Sequence, residues 1–267
     1  MVSFPNCKIN LGLHITRKRE DGYHDLETVF YPINLKDALE VVTTDGELAF
    51  TTSGLTIDGN ADSNLCLKAY HLLKADFPQL PSVKMHLHKA IPMGAGMGGG
   101  SADGAFTLRL LNSKYNLGLT TEQLIQYALQ LGSDCPFFII NKPAYATGRG
   151  EVLEEITLDL SAYTFVIVNP GIHVNTGWAF SQLTPTQPKQ SIRDIIQQPV
   201  ETWKDVLVND FEAAVIKRHP AIGDIKELLY NNGALYASMT GSGSTVFGLF
   251  PKAQPIAFAI PWTHWVV

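Results

Sequence analysis

The sequence predicts an α+β fold built in two halves. Strand patterns follow one another near the start of the chain, two helical patterns lie together in its middle, and strands and helices do not alternate regularly as they do in a doubly wound sheet. The chain has 267 residues, of which 45% are apolar and 17% are charged, so it can bury a full core. Gly148 to Gly150 and the acidic residues that follow mark a boundary, and we expect domains over 1–150 and 151–267.

The first strand is predicted by residues 7–13, in which apolar and polar positions alternate. Ile9 and Leu11 share one face while Lys8 and Asn10 share the other, so we expect one face of this strand to meet solvent. The other elements predicted for the first half are strands over 26–35, 39–44 and 83–88, a helix that begins after a cap at Ser63 or Asn64, a helical pattern through Ala105, Leu108 and Leu111, and a helix over 121–131 that ends near Gly132.

The second half combines β-branched segments with a stretch rich in Gln, Pro and Thr, which is typical of an exposed connection. The elements predicted here are strands over 152–158 and 165–168, the connection over 183–200 with one short helix at 192–196, a helix over 222–229, and a Gly/Ser loop over 237–248 that enters a strand. Three prolines after residue 250 leave room for only a short helix before residue 262.

Charge and hydropathy exclude several classes of function. Lys and Arg number 20 against 25 for Asp and Glu, a formal net charge of -5, so nucleic acid is not an expected partner. The sequence has no apolar run of about 20 residues and begins without a secretory signal, so we expect a cytoplasmic protein with no membrane partner. The cysteines, Cys7, Cys66 and Cys135, are expected to be free thiols, mostly buried.

A glycine-rich loop at 94–100 lies between the strand over 83–88 and the helical pattern that follows. Its five glycines leave backbone N–H groups accessible next to a helix N-terminus, which favours phosphate binding over a simple turn. The spacing Gly94, Gly96, Gly99 matches the dinucleotide fingerprint, but the acidic strand end expected about 20 residues later is missing. A Walker loop is excluded as well, because Gly100 stands where its lysine should be.

The segment from Pro92 to Ser101 resembles the phosphate loop of the GHMP kinases, which are small-molecule kinases. Residues 8–13 and 240–247 resemble the first and third motifs of the same family. The resemblance implies a two-domain GHMP kinase fold, with a ribosomal-protein-S5-domain-2-like N-terminal half and a ferredoxin-like C-terminal half, and the site in the cleft between them. It also implies ATP-dependent phosphorylation of an alcohol, with Mg²⁺ accompanying the ATP.

Two further segments, 21–24 and 131–138, narrow the resemblance to family members that phosphorylate the C2 hydroxyl of a cytidine diphosphate-linked methylerythritol. In that case Tyr23 stacks on the cytosine, His24 hydrogen-bonds it, and Phe180 lies on the other side of the ring, although Phe180 also fits a core position. Two alternatives stay open. One is a GHMP kinase for homoserine, mevalonate or a sugar, and the other is a nucleotide-binding regulator that has lost catalysis.

Asp134 is the candidate general base, since a carboxylate can accept the proton of the attacking hydroxyl. Taken alone it would be read as a turn or helix-cap aspartate. The resemblance makes Lys8, otherwise an ordinary surface lysine, the second catalytic residue, and we expect it to approach Asp134. Asn10 is expected to contact the substrate.

The resemblance supplies the remaining site residues. Asn64 and Lys89 match positions in the nucleotide pocket, with a helix cap and an exposed strand end as their ordinary alternatives. Thr176, Gly241 and Ser242 are expected substrate contacts. The expected ATP-binding residues are Asn64, Lys89, Pro92, Met93, Gly94, Ala95, Gly96, Met97, Gly98, Gly99, Gly100, Ser101 and Ala102.

Two positions depart from the family pattern. Ala102 stands where a second serine is usual, and Ser181 stands where a lysine commonly follows the aromatic residue. No protein ligand for the magnesium ion can be named from the sequence, and we expect a monomer or a weak homodimer.

Overall fold

A computed structural model describes residues 1–57 and 63–267. The chain forms two compact units, each made of several segments. Unit 1 comprises Met1–Cys7, Asn34–Met93 and Gly98–Lys142, and unit 2 comprises Lys8–Ile33, Gly94–Met97 and Pro143–Val267. Strands from the first quarter of the chain belong to the same sheet as strands after residue 143. The domains expected over 1–150 and 151–267 stay a prediction.

The strands are β1 (Val2–Ser3), β2 (Asn6–Lys18), β3 (His24–Lys36), β4 (Ala38–Thr43), β5 (Ala49–Gly54), β6 (Val83–Lys89), β7 (Ala144–Thr147), β8 (Val152–Glu155), β9 (Tyr163–Asn169), β10 (Tyr236–Met239), β11 (Val246–Pro251) and β12 (Thr263–Val266). The helices are α1 (Leu65–Asp76), α2 (Gly99–Tyr115), α3 (Thr121–Leu131), α4 (Cys135–Ile140), α5 (Thr176–Ser181), α6 (Ile192–Ile195), α7 (Glu212–Arg218) and α8 (Pro220–Asn231). A 3₁₀ turn at Val200–Thr202 lies between α6 and α7. None of the described helices is long and apolar enough to span a membrane.

Unit 1 is a four-stranded sheet in the order β1-β4-β6-β5 that packs with helices α1 to α4. β6 pairs antiparallel with β4 and parallel with β5. Along β6 the side chains alternate, with Val83, Met85 and Leu87 buried in the core and Lys84 and His88 exposed. Lys89 ends the strand on the buried face, which brings a charged side chain into the interior.

Two helix boundaries in unit 1 follow from local signals and confirm the sequence prediction. The Asn64 side chain accepts a hydrogen bond from Cys66 N at 2.9 Å and caps α1. Thr120 and Gln123 form a capping box at the start of α3, and α3 ends at Gly132 as expected.

Unit 2 contains two sheets, in the orders β2-β3-β7-β8 and β10-β11-β9-β12. β9 pairs antiparallel with both β11 and β12. Its core joins apolar residues of β2, β9, β10, β11 and of helices α7 and α8, among them Leu13, Val166, Val215, Leu229 and Phe250. This core stabilises the strand that carries the predicted motif at 8–13.

Two sequence expectations differ from the structure. β2 is buried on both faces from Asn6 to Leu13, not solvent-facing on one, because residues from later in the chain cover its polar side, with Thr240 at Asn10 and the side chains of Ile192 and Leu207 over Gly12. We expected a short helix after residue 251, but the described chain forms strand β12 there and no helix. The edge of β9 supplies the hydrogen-bond partners for the backbone of β12, whereas prolines lack the N–H groups that a helix needs.

The three cysteines are free and buried, as expected.

Candidate active site

Lys8 lies inside unit 2, on the polar side of β2. Its side chain is buried, with 3% of the residue exposed. Lys8 Nζ donates to Asn10 Oδ1 at 2.7 Å, lies 3.5 Å from Gly96 O, and sits 4.7 Å from the centre of the Phe30 ring. The surface-lysine alternative is therefore wrong, and the ammonium is held next to the backbone of the glycine-rich loop.

Asn10 connects this lysine to two threonines. Its Nδ2 donates to Thr28 Oγ1 at 3.0 Å, and its Oδ1 accepts from Thr240 Oγ1 at 3.3 Å as well as from Lys8. Thr28 Oγ1 in turn donates to Gly12 O at 2.5 Å. With both amide atoms engaged, Asn10 serves to orient Lys8, and its expected substrate contact stays a prediction.

The loop after β10 lies directly against residues 94–97. Thr240 Oγ1 donates to Gly96 O at 3.1 Å and accepts from Asn10 N at 3.0 Å. A Cβ added to Gly96 would lie 2.0 Å from Thr240 O, and one added to Gly243 would lie 2.2 Å from Gly96 N. Glycine is required at both positions because the two backbones touch. The predicted first and third motifs and this part of the phosphate loop therefore meet in one unit.

Two predicted substrate contacts lie together. Thr176, the first residue of α5, is exposed, and its Oγ1 is 3.0 Å from the Oγ of Ser242. Gly241 adopts φ +57, which turns the chain so that the Ser242 hydroxyl reaches Thr176. Because one hydroxyl donates to the other, the pair presents one remaining O–H donor and the acceptor lone pairs of both oxygens.

The aromatic residues of unit 2 are arranged differently from the expected sandwich. Tyr23 is 57% exposed, and the Arg149 guanidinium lies 4.9 Å from its ring centre. Phe180 stacks on His24, with ring centres 4.8 Å apart, and meets Phe211 edge-on. Phe180 thus packs partly on the core, which agrees with the alternative that it is a core residue. Its contact with a pyrimidine stays a prediction.

The surroundings of His24 favour its neutral form. Burial lowers its pKa, and the nearby Lys18 charge lowers it further. A neutral imidazole offers one donor and one acceptor, which suits a hydrogen-bonded base edge.

In unit 1 the helix α2 begins at Gly99 with Gly98 as its cap, in the left-handed region at φ +69. Gly98 has no side chain, so the cap residue itself does not bond to the N–H groups of the first turn. A Cβ on Gly99 would lie 2.8 Å from Ile91 Cγ2 and 3.0 Å from Lys89 Nζ, so this position also requires glycine. First-turn N–H groups together with the helix dipole form a site for an anion such as a phosphate.

Asp134 lies in the same unit as this helix end. It precedes α4 and is partly exposed, and its side chain makes no capping hydrogen bond within the described helix. Burial raises the pKa of the adjacent Cys135 thiol to about 12, a hydrogen bond with Ser101 opposes the rise, and the Asp134 charge adds to it. The phosphate-loop serine and the candidate base are therefore brought together by the turn between α3 and α4. Lys8 belongs to unit 2, and its approach to Asp134 stays a prediction.

Lys89 is buried beneath α2, so the alternative that it is an exposed residue at a strand end is wrong. Its Nζ forms ion pairs with Asp37 and, at 2.8 Å, with Asp103. Burial acts to lower the pKa of Lys89, but the charges of Asp103 and Asp37 outweigh it and raise the pKa. With its side chain enclosed by carboxylates, Lys89 supports the loop from within, and a direct nucleotide contact stays a prediction.

The other predicted ATP-binding residues differ in exposure. Met93 and Gly94 are exposed, Pro92, Gly96, Gly98, Gly100 and Ser101 are partly exposed, and Ala95, Met97, Gly99 and Ala102 are buried. The buried alanine and methionine side chains anchor the loop and leave its backbone to meet a ligand.

Sequence reasoning missed several polar residues of these clusters. Asp37 and Asp103 neutralise Lys89, and Thr28 orients Asn10. If Lys89 had been predicted to be buried, an acidic partner would have been expected. Asp37 lies 52 residues away in the sequence, so no local pattern pairs the two residues.

Comparison with known families accounts for both units. Residues 64–142 match the description "GHMP kinases N terminal domain", and residues 191–260 match "GHMP kinases C terminal". The chain belongs to the GHMP kinase family and is a small-molecule kinase with the two-domain fold of that family.

Relatives within the family extend over nearly the whole chain. A 4-diphosphocytidyl-2-C-methyl-D-erythritol kinase of Bacteroides fragilis is 53% identical over 259 residues, covering 96% of this chain and 94% of its own. The enzyme of the same name from Cytophaga hutchinsonii is 49% identical, covering 97% and 95%.

Solved structures of GHMP kinases are similar to this chain over most of its length. A crystal structure of 4-(cytidine 5'-diphospho)-2C-methyl-D-erythritol kinase matches with a TM-score of 0.81 and 31% identity, covering 93% of this chain and 90% of that one. The mevalonate kinase of Methanococcus jannaschii matches with a TM-score of 0.70 at 16% identity, a likeness of fold alone, covering 94% and 90%.

Proposed function

We propose that this protein transfers the γ-phosphoryl group of ATP to the C2 hydroxyl of 4-diphosphocytidyl-2-C-methyl-D-erythritol, in the synthesis of isoprenoid precursors. The observation that carries the proposal is the buried Lys8 ammonium, oriented by Asn10 against the backbone of the glycine-rich loop. The names of relatives about 50% identical over nearly the whole chain support this choice of acceptor.

In the proposed reaction the C2 hydroxyl oxygen forms a bond to the γ-phosphorus as the bond to the bridging oxygen breaks, and ADP leaves with that electron pair. Asp134 accepts the hydroxyl proton. Its side chain is partly exposed, and a carboxylate within hydrogen-bond reach of a hydroxyl can act as a general base.

Lys8 stabilises the negative charge that develops on the attacking oxygen and the transferred group. Its contacts with Asn10 and Gly96 hold the ammonium in one position. A fixed charge in a water-excluded site stabilises a transition state more than a mobile one does, because it need not reorganise.

The triphosphate is held by the loop at 94–98 and the first turn of α2, whose N–H groups point toward an anion. Mg²⁺ bound with the triphosphate would offset the charge of its oxygens. The described residues contain no group of three or more His, Cys, Asp or Glu side chains that could bind a metal ion.

The cytidine end of the acceptor binds at Tyr23 and His24, and the Thr176 and Ser242 hydroxyl groups bind its diphosphate. Tyr23 offers one exposed ring face for stacking, and neutral His24 supplies a donor and an acceptor. We propose a cytoplasmic enzyme that acts as a monomer or weak homodimer, without nucleic-acid or membrane partners.

A kinase assay with ATP and Mg²⁺ tests the proposal by comparing the cytidyl substrate with homoserine and mevalonate. We expect phosphorylated product, detected by mass spectrometry, with the cytidyl substrate at a kcat/KM far above those of the other alcohols. Preference for either of the others would contradict the acceptor assignment. Binding of ATP without turnover on any alcohol would favour a regulator.

A further inference from the structure

Asn209, which lies outside the three family motifs, uses its whole amide on the backbone. It is 3% exposed and lies between the 3₁₀ turn and α7. Its Nδ2 donates to Met239 O at 2.8 Å and to Gly241 O at 2.9 Å, and its Oδ1 accepts from Phe211 N at 3.0 Å. The two carbonyls flank Thr240, so one side chain holds both sides of that residue.

We infer that Asn209 is a positioning residue for phosphoryl transfer: it fixes the turn at Thr240 and Gly241 and, through that turn, the Lys8 ammonium. The inference rests on the function proposed above and extends it to a residue that touches neither substrate.

The segment that carries Asn209 is itself fastened to β2. Leu13 N donates to Val208 O and Asp210 N donates to Leu13 O, each at 2.9 Å. The Asp210 carboxylate accepts from Ile15 N at 2.8 Å and contacts His14 Nδ1 at 3.1 Å. Asn209 is therefore anchored to the strand that carries Lys8, and its amide reaches from there to the turn.

From the turn the hydrogen bonds lead back to Lys8. Thr240 Oγ1 joins Gly96 O and the Asn10 backbone, and Lys8 Nζ contacts both Gly96 O and Asn10 Oδ1. A shift of Thr240 would move two of the groups that orient the ammonium. Gly241 also lies close to Gly96, because a Cβ added to Gly241 would lie 3.1 Å from Gly96 O. A shift of Gly241 would therefore also displace Gly96.

Removing the amide N–H groups takes this donor from Gly241 O and leaves Met239 O with the longer contact from Ser238 Oγ, at 3.3 Å. Buried carbonyls without partners are unfavourable, so the turn would move toward other donors or water. Displacement of a catalytic group by about 1 Å lowers turnover on the order of 100-fold.

Asn209→Asp tests this with little change in volume. The carboxylate keeps the acceptor for Phe211 N and loses both donations to the turn. Asn112→Ala is the matched control, because Asn112 also clamps backbone with both amide atoms, to Leu119 O and Leu119 N at 3.0 Å each, and has no place in the site.

We expect Asn209→Asp to lower kcat about 100-fold and to accelerate amide hydrogen exchange in the peptide over 239–245 selectively. Asn112→Ala should lower the melting temperature while kcat stays within about threefold of wild type and exchange over 239–245 is unchanged. If Asn209→Asp keeps kcat near wild type, or speeds exchange uniformly along the chain, its role is structural only and the inference is overturned.

Two measurements separate this inference from the proposed function. Wild-type turnover on the cytidyl substrate decides the function first. If another alcohol is the substrate, kcat is compared on that alcohol, and if none is turned over, unchanged exchange over 239–245 in Asn209→Asp still overturns the anchoring of the turn.

Discussion

Among the described residues, the buried lysines Lys8 and Lys89 have different neighbours. Lys89 is enclosed by Asp37 and Asp103, so its charge is neutralised within the fold. Lys8 contacts the Asn10 amide, the Gly96 carbonyl and the Phe30 ring. Such contacts hold an ammonium in one orientation, which suits a group that stabilises a developing anion.

Replacing Asp134 by Ala removes the proposed proton acceptor. We expect kcat to fall by about 100-fold or more while the Kd for ATP stays near the wild-type value, since a general base contributes about that factor and makes no contact needed for ATP binding. Steady-state kinetics and ATP titration measure the two quantities. Asp159→Ala, at an exposed turn residue bonded to Ser161 N, is the control, and wild-type turnover in Asp134→Ala would show that the proton goes elsewhere.

Replacing Tyr23 by Ala removes a stacking surface. Stacking of an aromatic side chain on a base contributes about 1–3 kcal/mol, so we expect KM for the cytidyl substrate to rise roughly 5- to 150-fold while KM for ATP changes little. Tyr23→Phe keeps the ring and should restore the wild-type KM. A similar rise in both KM values in Tyr23→Ala would argue against base stacking.

At the scale of elements, the loop at 94–97 and the turn after β10 act as one surface because their backbones are in contact. The contact needs glycine at Gly96 and Gly243, where a Cβ would overlap backbone atoms. It also links the two ends of the sequence, since Thr240 bonds to Asn10 of β2.

Gly96→Ala is expected to disrupt this contact. Gly96 has φ +81 and no room for a Cβ, whereas Gly118 has φ +74 and nothing within 4 Å. Gly118→Ala should therefore lower the free energy of unfolding by only the left-handed backbone strain, about 1–2 kcal/mol. Gly96→Ala should lower it further and lower kcat as well, because the two loops must separate.

Urea unfolding and turnover assays on both variants measure these effects. Equal losses of stability, with normal turnover in Gly96→Ala, would mean that the loops separate without harm to the site.

At the scale of the whole molecule, the cluster beneath α2 links stability to pH. Burial raises the pKa of Asp103 to about 7, Lys89 opposes the rise, and the Asp37 charge adds to it. The folded state then binds a proton that the unfolded chain has already lost, so the stability that Asp103 contributes is present below its unfolded pKa of 3.8 and is lost as pH rises to about 7.

Asp103→Asn keeps a neutral side chain at every pH. We expect the free energy of unfolding of wild type, minus that of the variant, to fall by about 1–4 kcal/mol between about pH 5 and pH 8, since one pKa unit corresponds to about 1.4 kcal/mol. Asp159→Asn should give a constant difference over this range, because the pKa of Asp159 is already lowered by its bonds to Ser161. A constant difference for Asp103→Asn would mean that its carboxyl group is ionised throughout.

Local features of the chain determined much of the secondary structure and the family. Helix α3 begins and ends where Thr120 and Gly132 predict, because caps depend on residues within one turn. The glycine-rich loop and the motifs at 8–13 and 240–247 are also local, and they were enough to identify a GHMP kinase.

Only the tertiary structure decided which residues meet. Lys89 finds Asp37 across 52 positions, and Asn209 reaches Gly241 across 32, so no short sequence window contains either pair. The sequence predicted that Lys8 lies on a solvent-facing strand, but residues distant in the chain pack on β2 and bury both of its faces. Periodicity and capping act over a few residues, whereas the burial of a charge depends on every segment that packs around it.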